Sequence, residues 1–315
     1  MIYNSLGNTG IEVSQLCFGS LTIGPLQKNL PLVEGVNIIE KAIELGVNFI
    51  DTADIYGTYP YIKEILKNHP DIVVASKSYA YDSMTAEETL NRALGGTGRD
   101  YIDIFLLHEQ EGPYTLKGHW EAIEYLTRCK EKGLIRAIGL STHHVAGVRS
   151  GAITPEIDII HPILNYKGVG IVDGTLDHME KAISLAWHNG KGIYAMKPLG
   201  GGHLISDMED AFEYILSFPY IHSIATGMQR IQEVEANVQI FNGQSPCKHK
   251  LSELKNYRRS LFIHDWCIGC GVCTERCQYK ALSLGSDGKA KVDLDKCILC
   301  GYCGSVCSEL AIKVI

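Results

Sequence analysis

No stretch of the 315-residue chain approaches about 18 consecutive apolar residues, which argues against a membrane span. Residues Met1 to Gly10 lack a basic segment followed by an apolar core, so export into a disulfide-forming compartment is not expected. Net positive charge is missing too: 29 Lys and Arg stand against 36 Asp and Glu, a formal charge of −7. Thiolate ligation of metal would make the chain more negative still, and such a surface is a poor partner for nucleic acid. A soluble, cytoplasmic protein is the expectation. Cysteine is scarce over most of the length, and Cys17, Cys129 and Cys247 are the three that precede position 267. They share no partner motif and read as free thiols, the first two at core or helix positions.

What is there lies at the other end. Eight of the 11 cysteines fall in the last 49 residues, as Cys267, Cys270, Cys273, Cys277 and then Cys297, Cys300, Cys303, Cys307. Each run reads C-x2-C-x2-C-x3-C, and the second repeats the first at a constant offset of 30 residues. Three thiolates from one tight loop hold three corners of an iron–sulfur cube, and the fourth cysteine is carried on to the other cube. One [4Fe–4S] cluster is therefore assigned to Cys267, Cys270, Cys273 and Cys307, the second to Cys297, Cys300, Cys303 and Cys277. A structural zinc site fits the spacing less well, because zinc takes well-separated C-x2-C pairs. From Ile263 to Ile315 the chain resembles a two-cluster bacterial ferredoxin, down to the paired Ala281, Leu282 and Ala311, Ile312. It departs where that family has proline after each fourth cysteine; Gln278 and Ser308 stand there.

The remaining length suits one further large domain. Tyr3 to Ser5 and Ile11 to Val13 flank Gly7-Asn8-Thr9-Gly10, a hairpin signal. Strand-like runs follow at 16–21, 49–52, 72–76, 102–107, 137–140, 157–164, 193–196 and 223–226, most of them continuously apolar, as strands covered on both faces are. Helical spacings alternate with them, for example Val36, Ile39, Ile43 before Gly46, and Leu176, Met179, Ile183, Trp187 before Gly190. Ser206 with Glu209 reads as a capping box. The pattern predicts an α/β chain: a (β/α)8 TIM barrel over 1–241, a basic linker over 242–262, and a small α+β ferredoxin-like iron–sulfur domain over 263–315. The alternative, an open doubly wound sheet, would normally show a glycine-rich phosphate turn after its first strand, and none is present.

A barrel does its chemistry where the strands end at the carboxyl face. The residues there are Asp51, Lys77, His108, Ser141, Asn165, Lys197 and Thr226. Any one of them, such as His108, could be a satisfied core residue, but seven in succession point to a site. The segments Phe49-Ile50-Asp51-Thr52-Ala53-Asp54-Ile55-Tyr56-Gly57, Ser76-Lys77, Leu106-Leu107-His108 and Ile138-Gly139-Leu140-Ser141 resemble the aldo-keto reductases, over roughly residues 1 to 240. That resemblance implies a catalytic tetrad of Asp51, Tyr56, Lys77 and His108, and reversible reduction of a carbonyl by NADPH or NADH. Tyrosine, with an ordinary pKa near 10, needs a cation beside it to give and take a proton at neutral pH. Lys77 supplies the charge, Asp51 positions Lys77, and His108 orients the carbonyl.

The resemblance also implies cofactor contacts. Ser141 and Asn165 fall where the family holds the nicotinamide carboxamide, Met196 where it often stacks an aromatic ring, Lys197 and Leu199 in the same loop, and Gly227 and Asn237 at the adenosine end. Glu233 stands where NADPH-selective members carry arginine, which favours NADH unless Arg230 compensates. The linker carries Lys248, Lys250, Lys255, Arg258 and Arg259; it reads as a solvated helix face or as a segment docked on the electronegative clusters. Two functions remain open: an NAD(P)H-linked oxidoreductase of a small carbonyl or alcohol, its clusters serving a flavoprotein or other redox partner, or an electron-transfer protein whose barrel is a docking scaffold.

Overall fold

The computed structural model describes residues 1–257, 259–297 and 303–314, with the side chains of residues 248, 250, 255, 256 and 305 outside the description. A hairpin of β1 (Tyr3–Ser5) and β2 (Glu12–Ser14) opens the chain. Strands β3 (Leu16–Gly19), β4 (Phe49–Asp51), β5 (Val73–Ser78), β6 (Ile102–Leu107), β7 (Ile135–Thr142), β8 (Ile159–Pro162), β9 (Gly192–Met196) and β10 (Ser223–Gly227) follow, all parallel, and β10 closes on both β9 and β3 to complete a barrel. Helices α1 (Leu32–Glu44), α2 (Tyr59–Asn68), α3 (Ser83–Thr97), α4 (Pro113–Gly118), α5 (Trp120–Glu131), α6 (Val145–Ile153), α7 (Leu176–His188), α8 (Met208–Leu216) and α9 (Ile231–Phe241) alternate with the strands. This is the expected (β/α)8 barrel.

The apolar runs divide by alternation along each strand. Leu16, Phe18, Ile50, Val74, Phe105, Leu107, Ile138 and Ile160 face outward against the helices. Cys17, Phe49, Ala75, Ile104, Leu106, Ala137, Ile159 and Tyr194 face inward, in one cluster with Leu6, Ile11 and Val13 of the hairpin. The hairpin thus packs into the amino-terminal end of the barrel and leaves the carboxyl end for chemistry. Each large side chain so buried contributes about 1.5–3 kcal/mol. The capping box expected from Ser206 and Glu209 is not what starts α8. A tight turn, Ile205–Asp207, runs into the helix and makes Asp207 its N-cap without a side-chain cap, and Asp207 is instead bonded by Tyr166 and Lys167.

After the barrel, α10 (Lys248–Asn256) packs on α9. Strand β11 (Leu261–Ile263) begins inside the stretch read as linker and pairs antiparallel with β14 (Ile312–Val314). Between them lie the short helix α11 (Val272–Arg276) and the hairpin of β12 (Leu282–Leu284) and β13 (Ala290–Val292). This small unit seats on the barrel mouth. His203 hydrogen-bonds the Ile312 carbonyl at 3.2 Å, and β14 approaches Gly202, whose φ of +96° and lack of a side chain admit the Val314 carbonyl. No helix among the described residues is long and apolar enough to cross a membrane.

Candidate active site and cluster cages

The strand ends bring the expected tetrad together. Asp51 closes β4, Lys77 lies near the end of β5, His108 follows β6, and Tyr56 ends the tight turn Asp54–Tyr56 just after β4. Lys77 Nζ donates to Asp51 Oδ2 at 2.8 Å and to the Thr52 carbonyl at 2.7 Å, with 1% of the lysine exposed. The ammonium lies 4.8 Å from the centre of the Tyr56 ring. His108 meets Tyr56 edge to face at 5.8 Å between ring centres and stacks on Tyr79 at 4.6 Å.

Two residues that the sequence reading missed complete this floor. Tyr194, on β9, donates its hydroxyl to Asp51 Oδ1 at 3.0 Å. His161, on β8, stacks on Tyr194 at 3.8 Å and has Nε2 3.7 Å from the same carboxylate oxygen. Both project inward from strands whose local pattern reads only as apolar, so no motif marked them.

Electrostatics follow from burial. Loss of water raises the Asp51 carboxyl from its ordinary value, while the Lys77 charge and the hydrogen bonds from Lys77 and Tyr194 oppose it. Tyr56 is partly exposed at the cleft, yet protein crowding its hydroxyl, and then the carboxylates of Asp51 and Glu109, hold the phenol well above 10. Burial first, then Lys77 and Lys197, pushes His108 well below 6.5, so its imidazole is neutral, and its Nδ1 is buried with no partner among the described residues.

A cleft of about 1160 Å3, counting its open mouth, runs from Asp51 and Tyr56 across the end of the barrel, lined by Met196, Lys197, Leu199, Thr226, Gly227 and Asn237. Five of the residues expected to hold a dinucleotide thus line the same cleft as Asp51 and Tyr56 of the tetrad. Thr226 Oγ1 is buried there without a partner among the described residues, a polar atom suited to a polar ligand. Ser141 and Asn165 are fully buried and engaged locally. Ser141 Oγ accepts the Glu109 amide at 3.0 Å, and Asn165 bonds Val169 in both directions at 2.9 Å.

At the adenosine end Glu233 accepts the Gln229 amide at 2.8 Å and lies 3.8 Å from Arg259. Arg230 does not reach this wall; it bonds Glu253 at 3.3 Å and covers the Tyr257 ring. The linker arginine thus stands where Arg230 was expected to compensate. Arg259 turns toward the barrel, largely out of solvent, and lines the cleft with Leu254. The expectations for Lys248, Lys250, Lys255 and Arg258 concern side chains outside the described residues.

In the small unit, Cys267, Cys270, Cys273 and Cys307 wall one void together with Gly269 and Gly271. The spacing assigns these four to one cluster; among the described residues no three metal-ligating side chains stand in ligating geometry. Gly269 and Gly271 adopt φ of +69° and +79°, turning the loop tightly enough to aim three thiols inward. The Ala290 amide points at Cys267 Sγ at 3.4 Å and the Ala281 amide at Cys277 Sγ at 3.3 Å, the amide-to-sulfur contacts that stabilise thiolate clusters. The thiols crowd each other: burial, then Cys307, Cys267 and Cys270, raises Cys273. Iron would offset the repulsion among the thiolates that binding requires. Cys277, Cys297 and Cys303 pack in the same small core as Cys267, Cys273 and Cys307; the fourth member of their set, Cys300, lies outside the described residues.

Comparison with known proteins agrees with this geometry. The family model described as "Aldo/keto reductase family" matches residues 15–213, more than half of the chain, and that of a "4Fe-4S dicluster domain" matches residues 266–311. An uncharacterized oxidoreductase of Bacillus subtilis, YqkF, is 23% identical over 300 residues, covering 81% of this chain and 95% of its own. L-galactose dehydrogenase of Arabidopsis thaliana is 24% identical over 282 residues, covering 74% of this chain and 86% of its own. The solved holo form of an aldo-keto reductase from Bacillus halodurans superimposes with a TM-score of 0.67 at 21% identity, covering 81% of this chain and 95% of that one, a likeness of fold. The chain belongs to the aldo/keto reductase family and carries behind its barrel a 4Fe-4S dicluster domain.

Proposed function

We propose that this oxidoreductase reduces a small aldehyde or ketone to the alcohol, reversibly, with NADH or NADPH, and that its second domain holds two [4Fe–4S] clusters. The observation that carries the reading is the buried Lys77–Asp51 pair beside the Tyr56 ring, at a cleft that Asp51, Tyr56, Gly227 and Asn237 line together. A nicotinamide bound in that cleft supplies the reducing equivalent as hydride. Tyr56 gives the proton to the developing alkoxide, and the nearby ammonium of Lys77 eases formation of the phenolate. Asp51, held by Tyr194 and Lys77, keeps that ammonium in place. His108, neutral, donates a hydrogen bond to the carbonyl and fixes its angle. The crossed sets Cys267, Cys270, Cys273, Cys307 and Cys297, Cys300, Cys303, Cys277 would hold the cubes, whose chemistry would be one-electron exchange with a flavoprotein or similar partner.

The test is anaerobic: oxidation of NADH or NADPH on addition of a short aldehyde, alongside assay of metal. About eight iron and eight sulfide per chain are expected. Stoichiometric zinc would sink the cluster assignment, and nucleotide that binds without any carbonyl-dependent oxidation would favour the docking-scaffold alternative.

A further inference from the structure

The cluster domain puts a charged side chain into the barrel's cleft. Lys313, the middle residue of β14, is 4% exposed and lines the same cleft as Tyr56 and Lys197. Its placement is fixed by the seat of β14 on the turn after β9. The Ile312 carbonyl is bonded by His203, and the lysine stem runs over Gly201, where an added side chain would meet the lysine Cδ at 3.3 Å and Nζ at 3.6 Å. Among the described residues no hydrogen bond or ion pair satisfies Lys313 Nζ. Lys197, at the end of β9, lies 2.8 Å from His143 Nε2 and meets no carboxylate. It also holds a φ of +58°, an uncommon conformation for a lysine.

Two ammonium groups, one from each domain, thus face one cleft with no carboxylate in contact among the described residues. A buried ammonium without a contacting anion costs stability, and an anionic ligand in the cleft would offset that cost. The surroundings agree. Burial and then the Lys313 charge push Lys197 well below its ordinary value, and burial pulls Lys313 down to about 8. Cys307 and then Glu109 offset Lys313 from a distance, and Glu109 offsets Lys197.

We propose that Lys197 and Lys313 together form an oxyanion subsite of the barrel, so that the cluster domain supplies a binding residue for the barrel's own ligand. The inference rests on the carbonyl-reductase reading for the identity of that ligand. The oxyanion has two sources here: a carboxylate carried by the carbonyl substrate, as in a 2-oxo acid, or the diphosphate of the dinucleotide. Lys197 adjoins His143 on the side of His108, where the carbonyl would lie, and Lys313 adjoins Gly201 nearer the nucleotide wall.

The experiment uses the full-length protein with its clusters and the variants Lys313→Gln and Lys313→Arg, with iron content as the measure of integrity. NADH is titrated by fluorescence, and KM is measured for glyoxylate and for acetaldehyde, an acid and a neutral aldehyde of similar size. A roughly tenfold loss of NADH affinity in Lys313→Gln assigns the subsite to the diphosphate. A roughly tenfold rise in KM for glyoxylate alone assigns it to a substrate carboxylate. In either case Lys313→Arg should keep most of the wild-type value. If Lys313→Gln loses iron, Lys197→Gln, within the barrel, must show the same selective loss. Changes below twofold in both readouts, in a variant with full iron content, overturn the proposal. NADH titration needs no turnover, so a wild type that reduces neither aldehyde yet shows Lys313-dependent NADH binding would refute the reductase reading and keep the subsite.

Discussion

The Lys77–Asp51 pair offers a quantitative check because its burial fixes what each half does alone. Asp51→Asn keeps the shape and leaves the Lys77 ammonium, 1% exposed, with the Thr52 carbonyl and an amide oxygen in place of a carboxylate. Removing one partner of a buried pair costs about 3–5 kcal/mol, since the survivor is a desolvated unpaired charge. For a barrel of this size each kcal/mol moves the melting temperature about 2–4 °C, so a fall on the order of 10 °C is expected. Asp51→Asn also loses the charged acceptor of the Tyr194 hydroxyl, which adds to the loss. Lys77→Met should cost a similar amount, because it strands the carboxylate. The double variant Lys77→Met/Asp51→Asn should be more stable than the sum of the two, by roughly 2 kcal/mol or more. Anaerobic thermal scans of the four proteins measure this. Strict additivity, or an Asp51→Asn protein that melts within about 2 °C of wild type, would mean that the two charges do not sustain each other as argued.

Three further outcomes follow. Arg259→Ala uncovers Glu233 beside the adenosine wall, so NADPH should lose roughly tenfold more affinity than NADH in parallel titrations; equal losses would remove Arg259 from nucleotide choice. His108 is pushed below its ordinary 6.5 and stays neutral, so turnover should show no histidine-like break between about pH 5.5 and 7.5, and a midpoint near 6.5 that disappears in His108→Gln would contradict the neutral role. NAD(P)H donates electrons as a pair while each cube takes one, and ferredoxin cubes can lie near about −400 mV. Anaerobic NADH alone should therefore leave the cluster absorbance unchanged while dithionite bleaches it, and rapid bleaching by NADH with no bound flavin would show a route between the domains that this account lacks.

What was legible in the chain was what is local. Buried parallel strands read as apolar runs, so β6 is bounded by Ile102 and Leu107 in sequence and structure alike. The tetrad was readable because each member sits at or just beyond a strand end, beside neighbours that name its place. The cluster thiols were readable because ligand spacing within one loop is sequence spacing. His161 and Tyr194 were not, because their role depends on meeting Asp51 across the barrel, 143 positions away for Tyr194. Arg259 and Lys313 reach the cleft through how the linker and cluster domain seat on the mouth, and nothing in their own segments encodes that. Ser206 shows the converse: a sound local cap signal gave way when a tight turn extended into α8 and left Asp207 at its start.

The account turns most on Tyr56 as the proton donor. Tyr56→Phe keeps the ring that packs by Lys77 and His108 and removes only the hydroxyl. The measurement is carbonyl-dependent NAD(P)H oxidation by wild type and Tyr56→Phe, both with full iron content, next to the nucleotide dissociation constant of each. The account predicts a fall in turnover of about two to four orders of magnitude with nucleotide affinity changed less than about threefold. Turnover in Tyr56→Phe within about threefold of wild type would contradict it.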